Sequence, residues 1–387
     1  MKIAVFYDLP HGGALVAIQE FAKILQKKHQ LDLFTIDGNQ TERNIFPNCY
    51  LFSKNQPIEN FPTLFHRLYS DFYGLYLVRK VDQQIADRIN HGGYDLALIS
   101  HSRFIDSPHL LRYLTIPSIY LCQGPPRYHY EYNLRVDDRW PLLNRLYENL
   151  IRHIRKNLDR INCRSATTIV TSSYFAAEAI KMWYDRNAAV AYSGVDPKIF
   201  QPQKTKKLNQ VVIVGNPEPQ KAIDLAIKSI SRIKENRPQL IVVSPRFSDN
   251  PKLRQLAKKL SVSVDWRCGL SPKDLAKIYS QSLLTLAVSH REHLGLSVLE
   301  SLSCATPVVA VREGGFRETV SDNITGFLVD RKENNLTIAM NKIIAHPIMA
   351  KKMGEMGRKE IQKNWTWSET AKPLKKLITR ISHHVSK

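Results

Sequence analysis

Residues 291–320 read REHLGLSVLESLSCATPVVAVREGGFRETV. A short apolar run, LLTLAVS, ends just ahead of them near Val288, and a second, PVVAV, lies inside them. Between the two, LGLSVLESLSC has apolar residues at helical spacing and opens on Gly295. Strand, loop, helix and strand at these lengths make a βαβ unit, whose helical crossover joins parallel strands. The same rhythm extends in both directions. QVVIVG and IDLAIKSISRIKEN, QLIVVS and PKLRQLAKKL, and VSVDW and SPKDLAKIYSQ precede it as strand–helix pairs, and GFLVD follows as a strand. The amino-terminal half repeats the pattern with KIAVFY, the amphipathic helix ALVAIQEFAKILQKKH, LDLFTI, YDLALIS, PSIYLC and TTIVTS. Near residue 194 the periodicity lapses into SGVDPKIFQPQKTKKLNQ, rich in Pro, Gly and Lys as an interdomain segment is. The expected architecture is α/β, with two Rossmann-like, doubly wound parallel-sheet domains facing a central cleft. Their expected bounds are 1–195 and 209–366, with a linker at 196–208 and a carboxyl-terminal helix, 367–387, crossing back to the first domain.

A chain of 387 residues exceeds what one hydrophobic core usually fills. Its 43% hydrophobic and 24% charged residues fit a globular protein and exclude a disordered or fibrous one. Five cysteines (Cys49, Cys122, Cys163, Cys268, Cys304) lie far apart without a C-x-x-C pair, which points to a reduced compartment rather than a disulfide framework or zinc site. The opening MKIAVFYDLP is too short an apolar run for a signal peptide, and no stretch reaches the roughly 20 apolar residues that span a bilayer. A cytoplasmic location is expected, with peripheral contact at the inner face of the membrane as a secondary expectation. The net charge of +21 is uneven: residues 1–200 carry 24 Lys and Arg against 19 Asp and Glu, residues 201–387 carry 32 against 16. Such an excess draws polyanions, whether nucleic acid, anionic lipid or phosphorylated ligand, and does not choose among them.

Glu292 and Glu300 stand eight positions apart around the expected helix start. A helix beginning near Gly295 leaves the peptide N–H groups of His293, Leu294, Gly295 and Leu296 free at its amino end. Free N–H groups and the helix dipole together cradle a phosphate. A carboxylate one turn on, Glu300, suits vicinal ribose hydroxyls, as acidic residues do in other nucleotide sites.

With these residues in order, 289–327 resemble the donor-binding signature of retaining glycosyltransferases of the GT-B fold, glycosyltransferase family 4. Glu292, Gly295, Glu300, Thr306, Pro307, Val308, Val309, Gly314, Gly315 and Glu318 match its Glu-x7-Glu, T-P-V-V and G-G elements. VVIVGNPEPQKAIDLAI is similar to the opening of the family's second domain, where a basic residue after the glycine and a lysine further on hold the donor diphosphate. Here Gly215 and Lys221 are present, but Asn216 stands where Arg is expected, and Arg291 or Arg246 are the candidates to compensate. His11-Gly12-Gly13 resembles the family's glycine loop on the donor phosphates. SIYLCQGPPRYHYEYN is similar to a segment with a sugar-contacting His, replaced here by Gln123, which hydrogen-bonds but cannot titrate. His101, Arg127 and Tyr128, with His129 and Tyr130, are expected on the acceptor side. The resemblance implies a metal-independent, front-face transfer of a hexose from a UDP- or GDP-sugar to a hydroxyl of a glycan or lipid-linked acceptor. The P-P-R-Y run leans towards mannose. In this picture the leaving phosphate takes the acceptor proton, Glu292 holds sugar hydroxyls, Lys221 holds the diphosphate, and the nucleotide sugar is a co-substrate with no cofactor.

Other readings stay open at this stage. A lysine in a Gly/Pro loop, a glycine pair at a strand–helix turn and a lone His101 each have a purely structural explanation. The run NRLYENLIRHIRKNLDRINCR, 144–164, reads either as a helix lying on an anionic membrane or as one packed on the sheet with a solvated basic face. The fold also serves nucleotide-sugar epimerases and phosphorylases, and the basic second half suits a non-catalytic nucleic-acid- or membrane-binding protein. No RNA or DNA motif is present, so nucleic acid is not an expected partner. A glycosidase pair is disfavoured because Glu292 and Glu300 would both lie on the donor side, whereas such pairs flank the bond.

Overall fold

The computed structural model describes residues 1–9, 12–36, 45–53, 68–130, 141–245 and 250–385. The chain divides into two compact units, Met1–Ala191 with Ala371–Lys387, and Tyr192–Thr370.

The first unit carries β1 (Lys2–Asp8), β2 (Gln30–Ile36), β3 (Asn48–Phe52), β4 (Leu96–Ser102), β5 (Ser118–Leu121), β6 (Thr168–Thr171) and β7 (Ala188–Val190). They pair in parallel in the order β3-β2-β1-β4-β5-β6-β7. Parallel strands covered on both faces need apolar residues on both, which is why β1 reads as an unbroken apolar run and is buried from Ile3 to Asp8. Helices α1 (Gly13–Leu25), α2 (Gly74–Asn90), a one-turn α3 (Arg127–Tyr130), α4 (Leu142–Ser165) and α5 (Tyr174–Tyr184) belong to this unit. The strands run to opposite sides of the pair β1 and β4, where the sheet order reverses.

The second unit carries β8 (Gln210–Val214), β9 (Gln239–Ser244), β10 (Val264–Cys268), β11 (Leu284–Ala287), β12 (Val308–Val311) and β13 (Gly326–Val329). Its order, β10-β9-β8-β11-β12-β13, is again all parallel and reverses between β8 and β11. Its helices are α6 (Ile223–Ser231), α7 (Pro251–Lys259), α8 (Pro272–Gln281), α9 (Leu296–Ser303), a one-turn α10 (Phe316–Thr319), α11 (Glu333–Ala345), α12 (Pro347–Asn364) and a one-turn α13 (Trp367–Thr370). Side-chain caps mark the starts of α7 and α8: Asn250 accepts from the Leu253 N–H and Ser271 from the Asp274 N–H, each followed by Pro at the first helical position. The last helix, α14 (Lys372–Val385), belongs to the first unit and buries Leu374 and Ile378.

Three features are set by tertiary contacts that the sequence did not display. The Pro-rich stretch from 196 to 208, expected as a linker, is strapped to the second unit. Phe200 packs against that unit's core, the Gln203 N–H donates to Ser280 at 3.1 Å, and Lys207 Nζ donates to the Ser282 carbonyl at 2.6 Å. The helix expected through residue 236 stops at Ser231, because Arg237 takes the Ser231 and Ile233 carbonyls that further turns would need. Third, α4 packs on one side of its apolar stripe only. Ile151 is buried but Leu146 and Leu150 are 56% and 53% exposed, while Glu148, Arg152, Asp159 and Asn162 are buried. The cause is a polar seam: Asn162 binds the Ser107 carbonyl at 2.8 Å, and Asp159 accepts from Ser107, Tyr130 and Tyr184. No described helix is long and apolar enough to cross a membrane.

Candidate active site

In an open parallel sheet, the strand ends diverge where the order reverses and leave room for a ligand at their carboxyl ends. In the second unit that point lies between β8 and β11. β8 runs out into Gly215, Asn216 and the turn bearing Lys221; β11 runs out into the loop bearing Glu292. Lys221 Nζ donates to Glu292 Oε2 at 2.6 Å, with 26% and 20% of the two side chains accessible. The sequence reading placed these two residues in one site, and the structure brings them into contact. The lysine stem crosses the end of β8 directly over Gly215, where a Cβ would stand 2.9 Å from Lys221 Cδ. Gly215 has φ +153°, and its N–H is engaged by the Val243 carbonyl, so it opens the path for Lys221 rather than offering a donor. Asn216 Oδ1 has no hydrogen-bond partner among the described residues. Arg291 sits in the left-handed region at φ 46°; Arg246 and His11 fall outside the described residues.

Glu292 is followed by the amino end of α9. Gly295, at φ +91°, is its N-cap, and a Cβ there would come within 2.5 Å of the Phe316 ring. Of the first-turn N–H groups, that of Val298 donates to the Gly295 carbonyl at 3.0 Å, and those of Leu296 and Ser297 have no carbonyl of a preceding helical turn to bind. Leu294 is buried in the core and Leu296 packs against it, so these two contribute backbone only; His293 is partly exposed. The Gly314–Gly315 pair packs against the backbone of this loop. A Cβ on Gly314 would overlap the Glu292 carbonyl and one on Gly315 the His293 carbonyl, and the Gly315 N–H donates to the Glu292 carbonyl at 2.8 Å. The glycine pair therefore supports Glu292 from behind. Glu318 accepts from the Tyr192 hydroxyl at 2.8 Å.

Glu300 lies on α9, partly buried, and burial pushes its carboxyl up to about 7 against the pull of a hydrogen bond from the Tyr279 hydroxyl at 2.9 Å. Tyr279 was not singled out from the sequence. Its place is secured by Thr306 of the T-P-V-V run, whose hydroxyl donates to the Tyr279 carbonyl at 2.7 Å. The only local signal was a tyrosine on the apolar face of SPKDLAKIYSQ, which any core tyrosine shares.

In the first unit, Gly12 caps α1 with φ 166°, an extended backbone open to any residue, and Gly13 begins the helix; both are exposed. Gln123 follows β5, partly buried, and its N–H donates to His101 Nε2 at 2.9 Å. The other ring nitrogen, Nδ1, meets the Asp106 carbonyl at 3.0 Å. His101 is buried with both nitrogens occupied, and burial lowers its pKa, so the neutral ring holds Gln123 in place. Tyr128, on α3 beside Arg127, donates to Asp106 at 2.5 Å. Burial pushes Asp106 up to about 6, with the Tyr128 hydrogen bond and Arg155 opposing it.

Residues 195–360 match the family model of glycosyl transferases, group 1. Over 192 residues the chain is 30% identical to a D-inositol 3-phosphate glycosyltransferase of Acidothermus cellulolyticus, covering 43% of each. It is 24% identical over 262 residues to an MMP alpha-(1->4)-mannosyltransferase of Mycolicibacterium hassiacum, covering 63% of this chain and 62% of that one. The chain thus spans about half the length of the curated relatives it matches. Among solved structures, sucrose-phosphate synthase of Thermosynechococcus elongatus superposes over 99% of both chains with TM-score 0.77 at 19% identity. HepE of Anabaena, solved with UDP and glucose, covers 98% of this chain and 100% of its own with TM-score 0.72 at 16% identity. These likenesses define the class of fold: GT-B, two Rossmann-like parallel-sheet domains.

Proposed function

We propose that this chain is a retaining glycosyltransferase of family 4. It moves a hexosyl group from a UDP- or GDP-sugar to a hydroxyl of a glycan or lipid-linked acceptor, without metal or cofactor. The observation that carries this reading is the Lys221–Glu292 contact at the switch point of the second unit, beside the amino end of α9. An arriving diphosphate competes with Glu292 for Lys221. Once it wins, the lysine and the first-turn N–H groups meet the charge that grows on the leaving diphosphate, a fixed electrostatic stabilisation. Glu292, released, accepts hydrogen bonds from sugar hydroxyls, and Glu300, steadied by Tyr279, accepts from the ribose. The acceptor hydroxyl's proton passes to the leaving phosphate oxygen as the new glycosidic bond forms, so no protein base is required. Gln123, held by His101, is the residue of the first unit assigned to the transferred sugar, with Arg127 and Tyr128 on the acceptor side.

The mannosyltransferase among the relatives supports the lean to mannose, and the UDP in the HepE structure supports a uridine donor; both bases belong in the test. The exposed Leu142, Leu143, Leu146 and Leu150 of α4, with the strongly basic chain, favour an acceptor borne on an anionic membrane. The deciding experiment is a thermal-shift and transfer screen with UDP-glucose and GDP-mannose in the presence of EDTA. A ligand at 100 times its dissociation constant adds about 2.7 kcal/mol. If neither donor stabilises the wild type or is consumed, the proposal fails.

A further inference from the structure

The loop that presents Glu292 is held by a second device, and nothing in the Glu-x7-Glu pattern accounts for it. Arg331, just past β13, spreads its guanidinium over four acceptors. Nε donates to Glu313 Oε1 at 2.8 Å and Nη2 to Glu313 Oε2 at 2.9 Å. Nη1 donates to the Val288 carbonyl and Nη2 to the Ser289 carbonyl, each at 2.9 Å. Glu313 stands just past β12, and Val288 and Ser289 just past β11. One side chain thus ties the carboxyl ends of three neighbouring strands on one side of the switch point.

Glu313 carries the contact onward. Its Oε2 accepts from the Arg291 N–H at 3.4 Å and meets His290 Nδ1 at 3.0 Å. The His290 N–H in turn donates to the Gln220 carbonyl at 2.8 Å, one residue before Lys221. The loop from 288 to 292 is therefore gripped by the side chain of Glu313 and, immediately after it, by the backbone of Gly314 and Gly315. Arg291, with φ 46°, is held in the left-handed region that L side chains rarely adopt, and such a conformation persists only where its surroundings impose it. The surroundings here are Glu313 and Arg331.

We infer that Arg331 and Glu313 form a positioning clamp that fixes Glu292 in the geometry for handling the transferred sugar. The inference rests on the proposed transferase reading. It assigns neither residue to contact with substrate. A planar fork with donors in fixed directions reaches both carboxylate oxygens and two carbonyls at once, which a lysine cannot do. Burial would by itself raise the Glu313 pKa, but the hydrogen bonds and charge of Arg331 outweigh it and hold the carboxyl below its usual value, keeping it ionised to accept at both oxygens.

The test uses the full chain with Arg331→Lys, Arg331→Met and Glu313→Gln. It measures affinity for UDP and GDP alone, kcat with the sugar nucleotide, and backbone hydrogen exchange over residues 288–293. A clamp that positions Glu292 predicts nucleotide affinity within about threefold of wild type, because α9 and Glu300 are untouched. It predicts kcat lower by roughly 10- to 100-fold, the scale of a small misplacement of a reacting group. Exchange at 288–293 should rise while that of β8 stays as it was. Unchanged kcat in variants with wild-type melting would overturn the clamp. So would an equal loss of nucleotide affinity and kcat with exchange raised across the whole unit, the mark of a merely structural pair. Should Arg331→Met not fold, the isosteric Glu313→Gln decides by the same criteria. If the wild type binds neither UDP nor GDP, the transferase reading falls, and the exchange of 288–293 alone still decides whether the clamp holds the loop.

Discussion

Removing either partner of the Lys221–Glu292 pair should have opposite effects on nucleotide binding, and the structure sets the sizes. In Lys221→Ala the diphosphate loses a charge-assisted hydrogen bond worth about 1.5–3 kcal/mol. At about 1.4 kcal/mol per tenfold, UDP or GDP affinity should fall by roughly 10- to 150-fold. In Glu292→Gln the lysine loses only its internal competitor. With 26% and 20% of the two side chains in solvent, that pair contributes roughly 0.2–1 kcal/mol. Nucleotide affinity should then rise slightly, by about 1.5- to 5-fold, while transfer falls steeply because the sugar hydroxyls lose their carboxylate. Neither change should unfold the protein, since 1 kcal/mol moves the melting temperature of a domain this size by only about 2–4 °C. Isothermal titration of UDP and GDP into wild type and both variants, at low and at physiological salt, reads the three affinities directly. Lys221→Ala binding as tightly as wild type, or Glu292→Gln weakening nucleotide binding as much as Lys221→Ala, would refute the exchange of partners.

Gly315→Ala drives a methyl group into the His293 carbonyl and should cost on the order of 1–3 kcal/mol in urea unfolding while lowering transfer, because the overlap displaces the Glu292 loop. In the proposed role of Glu300 as acceptor for ribose hydroxyls the carboxylate must be ionised, and burial raises its pKa to about 7, so nucleotide affinity should strengthen as pH rises through 7. Tyr279→Phe removes the hydrogen bond that lowers that pKa, and titrations from pH 5.5 to 8.5 should show the midpoint moving upward. An acid whose folded pKa lies above its unfolded value binds more protons folded, so Glu300 makes the unliganded protein less stable as pH rises from about 4.5 to 7. Urea unfolding across that range, with Glu300→Gln as the control lacking the slope, checks the sign. His101→Ala leaves the Gln123 N–H without its partner, while the Asp106 carbonyl keeps the Tyr120 hydroxyl, and should destabilise by about 1–3 kcal/mol, whereas Gln123→Ala should melt like wild type and act on transfer alone.

What the sequence determined by itself is most of the strands and helices around the candidate site and the residue types that stand there. Unbroken apolar runs such as KIAVFY and QVVIVG dictate parallel strands, and Asn250-Pro251 and Ser271-Pro272 announce helix starts, because backbone preference and burial pattern are local properties. Glu292, Gly295, Glu300 and Lys221 were readable for the same reason, each in a recognisable strand–loop–helix setting. Partnership was not. Lys221 and Glu292 are 71 residues apart, and only the order of β8 and β11 in the sheet makes them neighbours. Tyr279 on Glu300, the Arg331 fork across three strand ends and the closure of both His101 nitrogens are likewise set by strand order, which no local pattern encodes. The face of α4 follows the same rule: spacing left open which side would pack, and that side was chosen by hydrogen bonds from Ser107, Tyr130 and Tyr184 to Asp159 and from Asn162 to Ser107. A buried carboxylate must be satisfied, and the elements able to satisfy it are brought together only when the chain folds.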